Sequence, residues 1–241
     1  MSRTFEILRS EQIRAATLSP SKRGPANRAE VDTNASVENA IRSLTQHLFV
    51  LQSPDAHAPK AVAFSGVDEG AGCSWVCARA GEALAAQSSG RVCVVDANVL
   101  NPSLHHQFRV ENVRGFADAI ADSEPMEKFV RRTWSDRLWL ICAGSAPNGA
   151  PDPARLRGRI AELREDFDYL LIDTPPLSRH ADAALLGLLS DGVVLVIGSD
   201  STRREAARAA KESLEATGAH VLGAVLNRRA YPIPAAIYRR L

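Results

Sequence analysis

The sequence predicts a three-layer α/β/α domain built on a mostly parallel sheet. Three observations carry this. Short, near-continuous apolar runs alternate with helical stretches, as in strands buried on both faces. Two of those runs end in an acid, at Asp96 and Asp173. A glycine-rich loop joins the first run to an alanine-rich helix. That setting turns backbone N–H groups and a helix N-terminus toward an anion.

Residues 1–35 are rich in Arg, Ser, Ala and Pro and are expected to form a flexible N-terminal segment. Within it Phe5, Leu8 and Ile13 mark a short amphipathic helix, and 19–25 reads as a linker. Ser36 is the expected cap of the next helix, with Glu38 in its first turn. Val37, Ala40, Ile41, Leu44, Leu48 and Leu51 follow at helical spacing, a stripe for the domain core or a neighbouring subunit. Strand 61–65 leads into the loop of Gly66, Gly70 and Gly72, and Ser74 opens helix 75–87. Strand 91–96 is followed by a loop, 97–108, holding Pro102, His105 and His106, the last two as locally bonded loop residues.

A short helix at 115–121 and a strand at 138–143 come next. After a Gly/Pro/Asn-rich loop at 144–153, 154–165 reads as a helix. Strand 169–173 is stopped by Thr174-Pro175-Pro176. Helix 181–189, strand 192–197, the charged surface helix 203–216 and strand 221–226 complete a domain spanning 36–228, with 229–241 as a tail. Ligands on such sheets sit beyond the strand C-termini, where Asp96, Asp173 and the glycine loop all fall.

The totals narrow the function. The chain has 241 residues, 45% hydrophobic and 24% charged, which suits one globular domain with a tail. A formal charge of +1 and 5% aromatics argue against nucleic acid as a partner. No signal-like apolar stretch opens the chain, and the longest apolar block, 183–189, is too short to span a bilayer. A cytoplasmic location is expected. Four cysteines fit reduced thiols: Cys93 and Cys142 as core residues, Cys73 and Cys77 one helical turn apart and too few for a metal site. Cys73 reads as a small loop residue, or alternatively as a thiol made reactive by the helix N-terminus.

Several segments fall in a telling order. They are Asp68-Glu-Gly-Ala-Gly-Cys-Ser74, Val94-Val-Asp-Ala-Asn-Val-Leu-Asn-Pro-Ser-Leu-His105 and Phe167-Asp-Tyr-Leu-Leu-Ile-Asp-Thr-Pro-Pro176. Gly192-Val-Val-Leu-Val and Val221-Leu-Gly-Ala-Val-Leu-Asn-Arg228 follow. Together they resemble the cytoplasmic ATPase domain of bacterial tyrosine autokinases of capsule and exopolysaccharide synthesis, within the MinD/ParA deviant-Walker group of P-loop NTPases.

The resemblance implies a site for Mg-ATP or Mg-ADP. Asp68, Glu69, Gly70, Ala71, Gly72, Cys73, Ser74 and Trp75 would surround the phosphates. Ser74 would bind magnesium directly and Asp173 through water, while Asp96 would assist the metal or take up a proton. Asn227 would contact the base, or serve only as a turn residue. It also implies a separate membrane co-polymerase or chain-length regulator as partner, a homo-oligomer, and a location peripheral to the inner membrane.

The departures cluster at the site. Cys73 replaces the loop lysine, Asn98 the second acid after Asp96, and Leu100 the following arginine. Arg42 survives from the family's oligomer motif, flanked by Asn39 and Thr45 where charges are usual. Tyr231 and Tyr238 are the tail's only tyrosines, and Tyr169 lies in a core strand. The reading is a regulatory protein of polysaccharide synthesis with weakened or lost kinase activity. An active autokinase and a MinD/ParA-like positioning ATPase are the alternatives, the latter weakened by Asp68 at that group's signature lysine.

Overall fold

A computed structural model describes residues 28–50, 58–145, 152–178 and 181–228. Strands β1 (Ala61–Gly66), β2 (Val92–Asp96), β3 (Val130–Arg132), β4 (Leu138–Ile141), β5 (Tyr169–Thr174), β6 (Gly192–Gly198) and β7 (Val221–Asn227) form a single sheet in the order β3-β4-β2-β5-β1-β6-β7. Every pairing is parallel except β3 with β4. Both faces are covered, so β1 and β2 are buried at every position and are apolar up to their C-terminal ends, where Ser65 and Asp96 stand.

Strand alternation sends Val62, Phe64, Val92, Val94 and Leu171 to one face, under α1 (Arg28–Thr45), α2 (Cys73–Gln87) and α3 (Leu104–Phe108). Cys93, Val95, Leu170 and Ile172 point to the other. There they meet α4 (Phe116–Ala121), α5 (Pro153–Asp166) and α6 (Ala181–Leu189). Beside these, α7 (Arg204–Ala216) covers β6 and β7 on the same face. The order reverses at β1, with β5 on one side and β6 on the other. The loop leaving β1 therefore opens at the switch point, where α/β sheets hold ligands.

Several boundaries differ from the sequence reading. The first helix starts at Arg28, so Ser36 lies inside it rather than capping it. Arg28, Ala29 and Glu30 are good helix formers and extend it backwards without an apolar stripe. Its C-terminal end runs into a π-helical turn, Gln46–Val50, which buries Leu48 and Phe49. The 97–108 loop contains α3, and β3 and a 3-10 turn at Met126–Lys128 were not expected at all. Thr45, at an oligomer-motif position, is fully buried and accepts a 2.7 Å hydrogen bond from Gln87 Nε2 of α2. It braces the subunit internally. Leu51, the N-terminal amphipathic segment, the 19–25 linker, residues 146–151 and the tail tyrosines Tyr231 and Tyr238 lie outside the described residues.

Among the described residues, no helix is long and apolar enough to cross a membrane.

Candidate nucleotide site

The loop from Gly66 to Gly72 turns sharply at two left-handed glycines, Gly70 (φ 77°) and Gly72 (φ 83°). Gly72 is the N-cap of α2 and offers no side chain to the helix end. The first intrahelical hydrogen bond comes from Val76 N to Gly72 O, so the amides of Cys73, Ser74 and Trp75 remain for an anion. A Cβ at Gly72 would collide with Asn227 Nδ2, so glycine is required there for space as well as for φ.

A cavity of about 400 Å³ opens over this loop. Asp68, Glu69, Gly70, Ala71, Gly72, Cys73, Ser74, Trp75 and Asn98 all line it. Asp96, Asp173 and Asn227 do not reach its surface. They form its buried foundation. Asn227 Nδ2 donates to Ala71 O at 2.8 Å, and its Oδ1 accepts from Arg228 N at 2.9 Å. Both ends of this amide are thus engaged in tying the loop to the end of β7.

Asp96 and Asp173 are register partners on adjacent strands, and both are fully buried. Asp96 accepts from Asn98 N (3.2 Å), Ser103 N (3.1 Å) and Leu104 N (3.0 Å). It folds the following loop and the start of α3 around itself. Burial outweighs these three amides and pushes its carboxyl up to about 6. Asp173 has no such partners, and neither carboxylate oxygen makes a hydrogen bond of good geometry. Burial, then the Asp96 charge, drives its carboxyl well above the usual range. The Ser74 hydroxyl and the Cys73 thiol approach it closely enough to oppose that shift without completing a bond.

A buried carboxylate beside a second one, with free oxygens and a serine hydroxyl at hand, has the donor chemistry that a cation would satisfy. Oxygen donors of this kind suit magnesium, and the loop amides suit phosphate, so the residues present fit a magnesium nucleotide. The fit fails at one position. Cys73 is part-exposed as a residue, but its thiol is enclosed against Asp173. Burial first, then Asp173, raises the thiol far above its ordinary value. The shift runs against the alternative of a thiol made reactive by the helix N-terminus, because desolvation and a neighbouring acid outweigh the backbone hydrogen bond at Gly66.

Sequence reasoning missed Arg228. It lines the cavity and is the only basic residue to do so among the described residues. Its Nε lies 3.9 Å from where a Gly72 Cβ would stand. It follows β7 at a left-handed position (φ 63°), and only its place next to Asn227 marks it in the sequence. Thr174 and Pro176 also line the cavity. They are held by Thr174 Oγ1 donating to Phe64 O and Ser65 Oγ to Pro175 O, each at 3.1 Å.

Residues 60–219 match the family model of the cellulose biosynthesis protein BcsQ. The chain belongs to this family. Tyrosine kinases are among the curated relatives of this BcsQ-family chain. It is 34% identical over 148 residues to the tyrosine-protein kinase YwqD of Bacillus subtilis, a match covering 59% of this chain and 61% of YwqD. It is 28% identical over 176 residues to the tyrosine-protein kinase CpsD of Streptococcus agalactiae, covering 70% and 75%. The match thus spans about three fifths of YwqD.

The fold is shared with the kinase domain of the Escherichia coli tyrosine kinase ETK, at a TM-score of 0.73, 22% identity and coverage of 91% and 92%. MinD of Pyrococcus horikoshii, solved with Mg-ADP, follows at 0.62, 21% identity, 75% and 76%. The family resemblance and the P-loop NTPase fold expected from the motifs are borne out.

Proposed function

We propose that this BcsQ-family chain is a regulatory member of a polysaccharide-synthesis system. It retains the nucleotide-holding fold but has lost most of the phosphoryl-transfer machinery. One observation carries the reading. Where a loop lysine would neutralise phosphate, an enclosed neutral thiol packs against Asp173. Phosphoryl transfer depends on positioned positive charge, and losing one such group typically costs on the order of 100-fold or more in rate.

The remaining residues divide the work. Amides of Cys73 to Trp75 would face the phosphates, and Arg228, the one basic residue lining the cavity among the described residues, would supply positive charge. Ser74 and Asp173, with Asp96 behind, would hold magnesium, which when bound offsets the charge of the phosphates. Asn227 braces the loop against β7. Nucleotide binding then acts as a weak conformational ligand rather than as a substrate site. The partner is a separate membrane co-polymerase or chain-length regulator, and the chain works at the cytoplasmic face of the inner membrane. The names of the family and of its kinase relatives support the pathway.

The test is direct. The full chain, incubated with Mg-ATP, is probed for phosphotyrosine. No incorporation above a no-nucleotide control is expected. Strong incorporation, abolished by Asp173→Ala, would make it an active autokinase instead.

A further inference from the structure

A second concavity lies away from the nucleotide cavity, on the opposite side of β6 and β7 from α2. It is a groove of about 590 Å³ between α7 and the last two strands. Its floor is apolar: Leu195 and Ile197 of β6 and Val221, Ala224 and Leu226 of β7. The gap has a simple cause. α7 turns only alanines, Ala206, Ala207 and Ala210, toward this part of the sheet, and Leu214 is its one buried large side chain. Alanine is too short to fill the space, and tight packing is the rule in a protein interior.

The groove lies along β7, the last strand of the sheet, whose outer edge pairs with no strand among the described residues. Such an edge offers a row of main-chain groups to an incoming extended segment. Its wall is basic. Arg204, Ala207, Arg208 and Lys211 recur at helical spacing on the groove side of α7, and Arg203 precedes them. Glu212 is the only acid lining the groove among the described residues. Arg203, Arg204 and Arg208 make no ion pair among the described residues, while Lys211 pairs with Glu215 at 3.2 Å.

We propose that this groove docks an extended, acidic segment of a partner protein. The segment adds as a strand to β7, places apolar side chains on the floor and sets carboxylates against the α7 arginines. Charge selects this occupant over the chain's own ends. Residues 1–27 carry Arg3, Arg9, Arg14, Lys22 and Arg23 against Glu6 and Glu11, and 229–241 carry Arg229, Arg239 and Arg240 with no acid. A flat lipid surface would not fill a concave apolar floor or pair with a strand edge.

The probe is a fluorescein-labelled peptide alternating Glu with Val and Leu, read by anisotropy against the full-length chain. A peptide with Lys in place of Glu and vesicles of anionic phosphatidylglycerol serve as comparisons. The acidic peptide is expected to bind and to weaken as salt rises. Arg204→Glu with Arg208→Glu is expected to cut its affinity about tenfold or more. Ala207→Trp, which fills the groove without changing charge, is expected to block it while Mg-ADP binding stays as in the parent. Both variants sit on a surface helix, and an unchanged thermal midpoint verifies their fold. The proposal is overturned if the acidic peptide does not bind, if it binds equally to the charge-reversed and plugged variants, if the Lys peptide binds as well, or if only the vesicles bind.

Discussion

Replacing Asp173 with Asn probes the buried foundation of the nucleotide cavity. The native carboxylate makes no hydrogen bond of good geometry, so the substitution removes charge without breaking one. It also relieves repulsion with Asp96, its register partner. At pH 7 the cost of the native acid has a ceiling, because the group can take up a proton instead. Holding an ordinary carboxyl neutral at pH 7 costs about 4 kcal/mol. Asn returns part of this, since its own buried amide needs partners and an unsatisfied polar group costs roughly 1–3 kcal/mol.

Asp173→Asn should therefore be more stable than the parent by about 1–3 kcal/mol at pH 7 without divalent ions. The sign with pH follows from the upward shift. The folded state binds the extra proton, so the parent loses stability as pH rises from the ordinary carboxylate range, and the variant does not. The gap should close near pH 4. Urea unfolding at both pH values, with and without magnesium, reads all of this. Magnesium should stabilise the parent and leave the variant unchanged. A variant less stable than the parent at pH 7 without magnesium would show that Asp173 is a satisfied structural acid, and the cation-site argument would fail.

Three further outcomes follow from the same geometry. Arg228→Ala should weaken Mg-ADP binding about tenfold or more by calorimetry, the worth of a charge-assisted phosphate contact; unchanged affinity would remove Arg228 from the site. Cys73→Lys should strengthen Mg-ATP binding, by on the order of 100-fold if the lysine regains the role of a positioned phosphate cation; an affinity no better than the parent's would mean that the missing charge is not what limits the site. Asp191 accepts from Lys60 N (2.7 Å), Ala61 N (2.8 Å) and Arg164 (2.6 Å), which together outweigh its desolvation and hold its carboxyl low. Asp191→Ala should cost roughly 2–4 kcal/mol at pH 7, discounted for its partial exposure, and the gap to the parent should narrow only as pH falls below the ordinary carboxylate range; a gap that instead narrows toward neutral pH would contradict the assignment.

What could be read from the sequence was what repeats or what chemistry marks. Six strands were legible because burial on both faces makes them continuous apolar runs. The three-residue β3, Val130-Arg-Arg132, was not, since so short and only partly buried an edge strand carries no apolar pattern. α3 escaped notice because five residues hold too little periodicity and two of them are histidines. Asp96 and Asp173 announced themselves as acids ending apolar strands. Their different duties did not show, because Asp96 is satisfied by backbone amides whose positions depend on how the loop folds. Cys73 was visible as a departure, but the direction of its thiol's shift depends on enclosure beside Asp173, which only the packed structure shows. Arg228 reaches the cavity through a left-handed turn after β7, and no spacing rule encodes that.

The loss of loop charge is tested most directly by calorimetric titration of Mg-ADP and Mg-ATP into the unmodified chain at physiological salt. Weak binding is expected, with ATP gaining little over ADP because no lysine stands at the loop to meet the added phosphate. Tight binding with a strong preference for ATP, unaffected by removing Arg228, would contradict it.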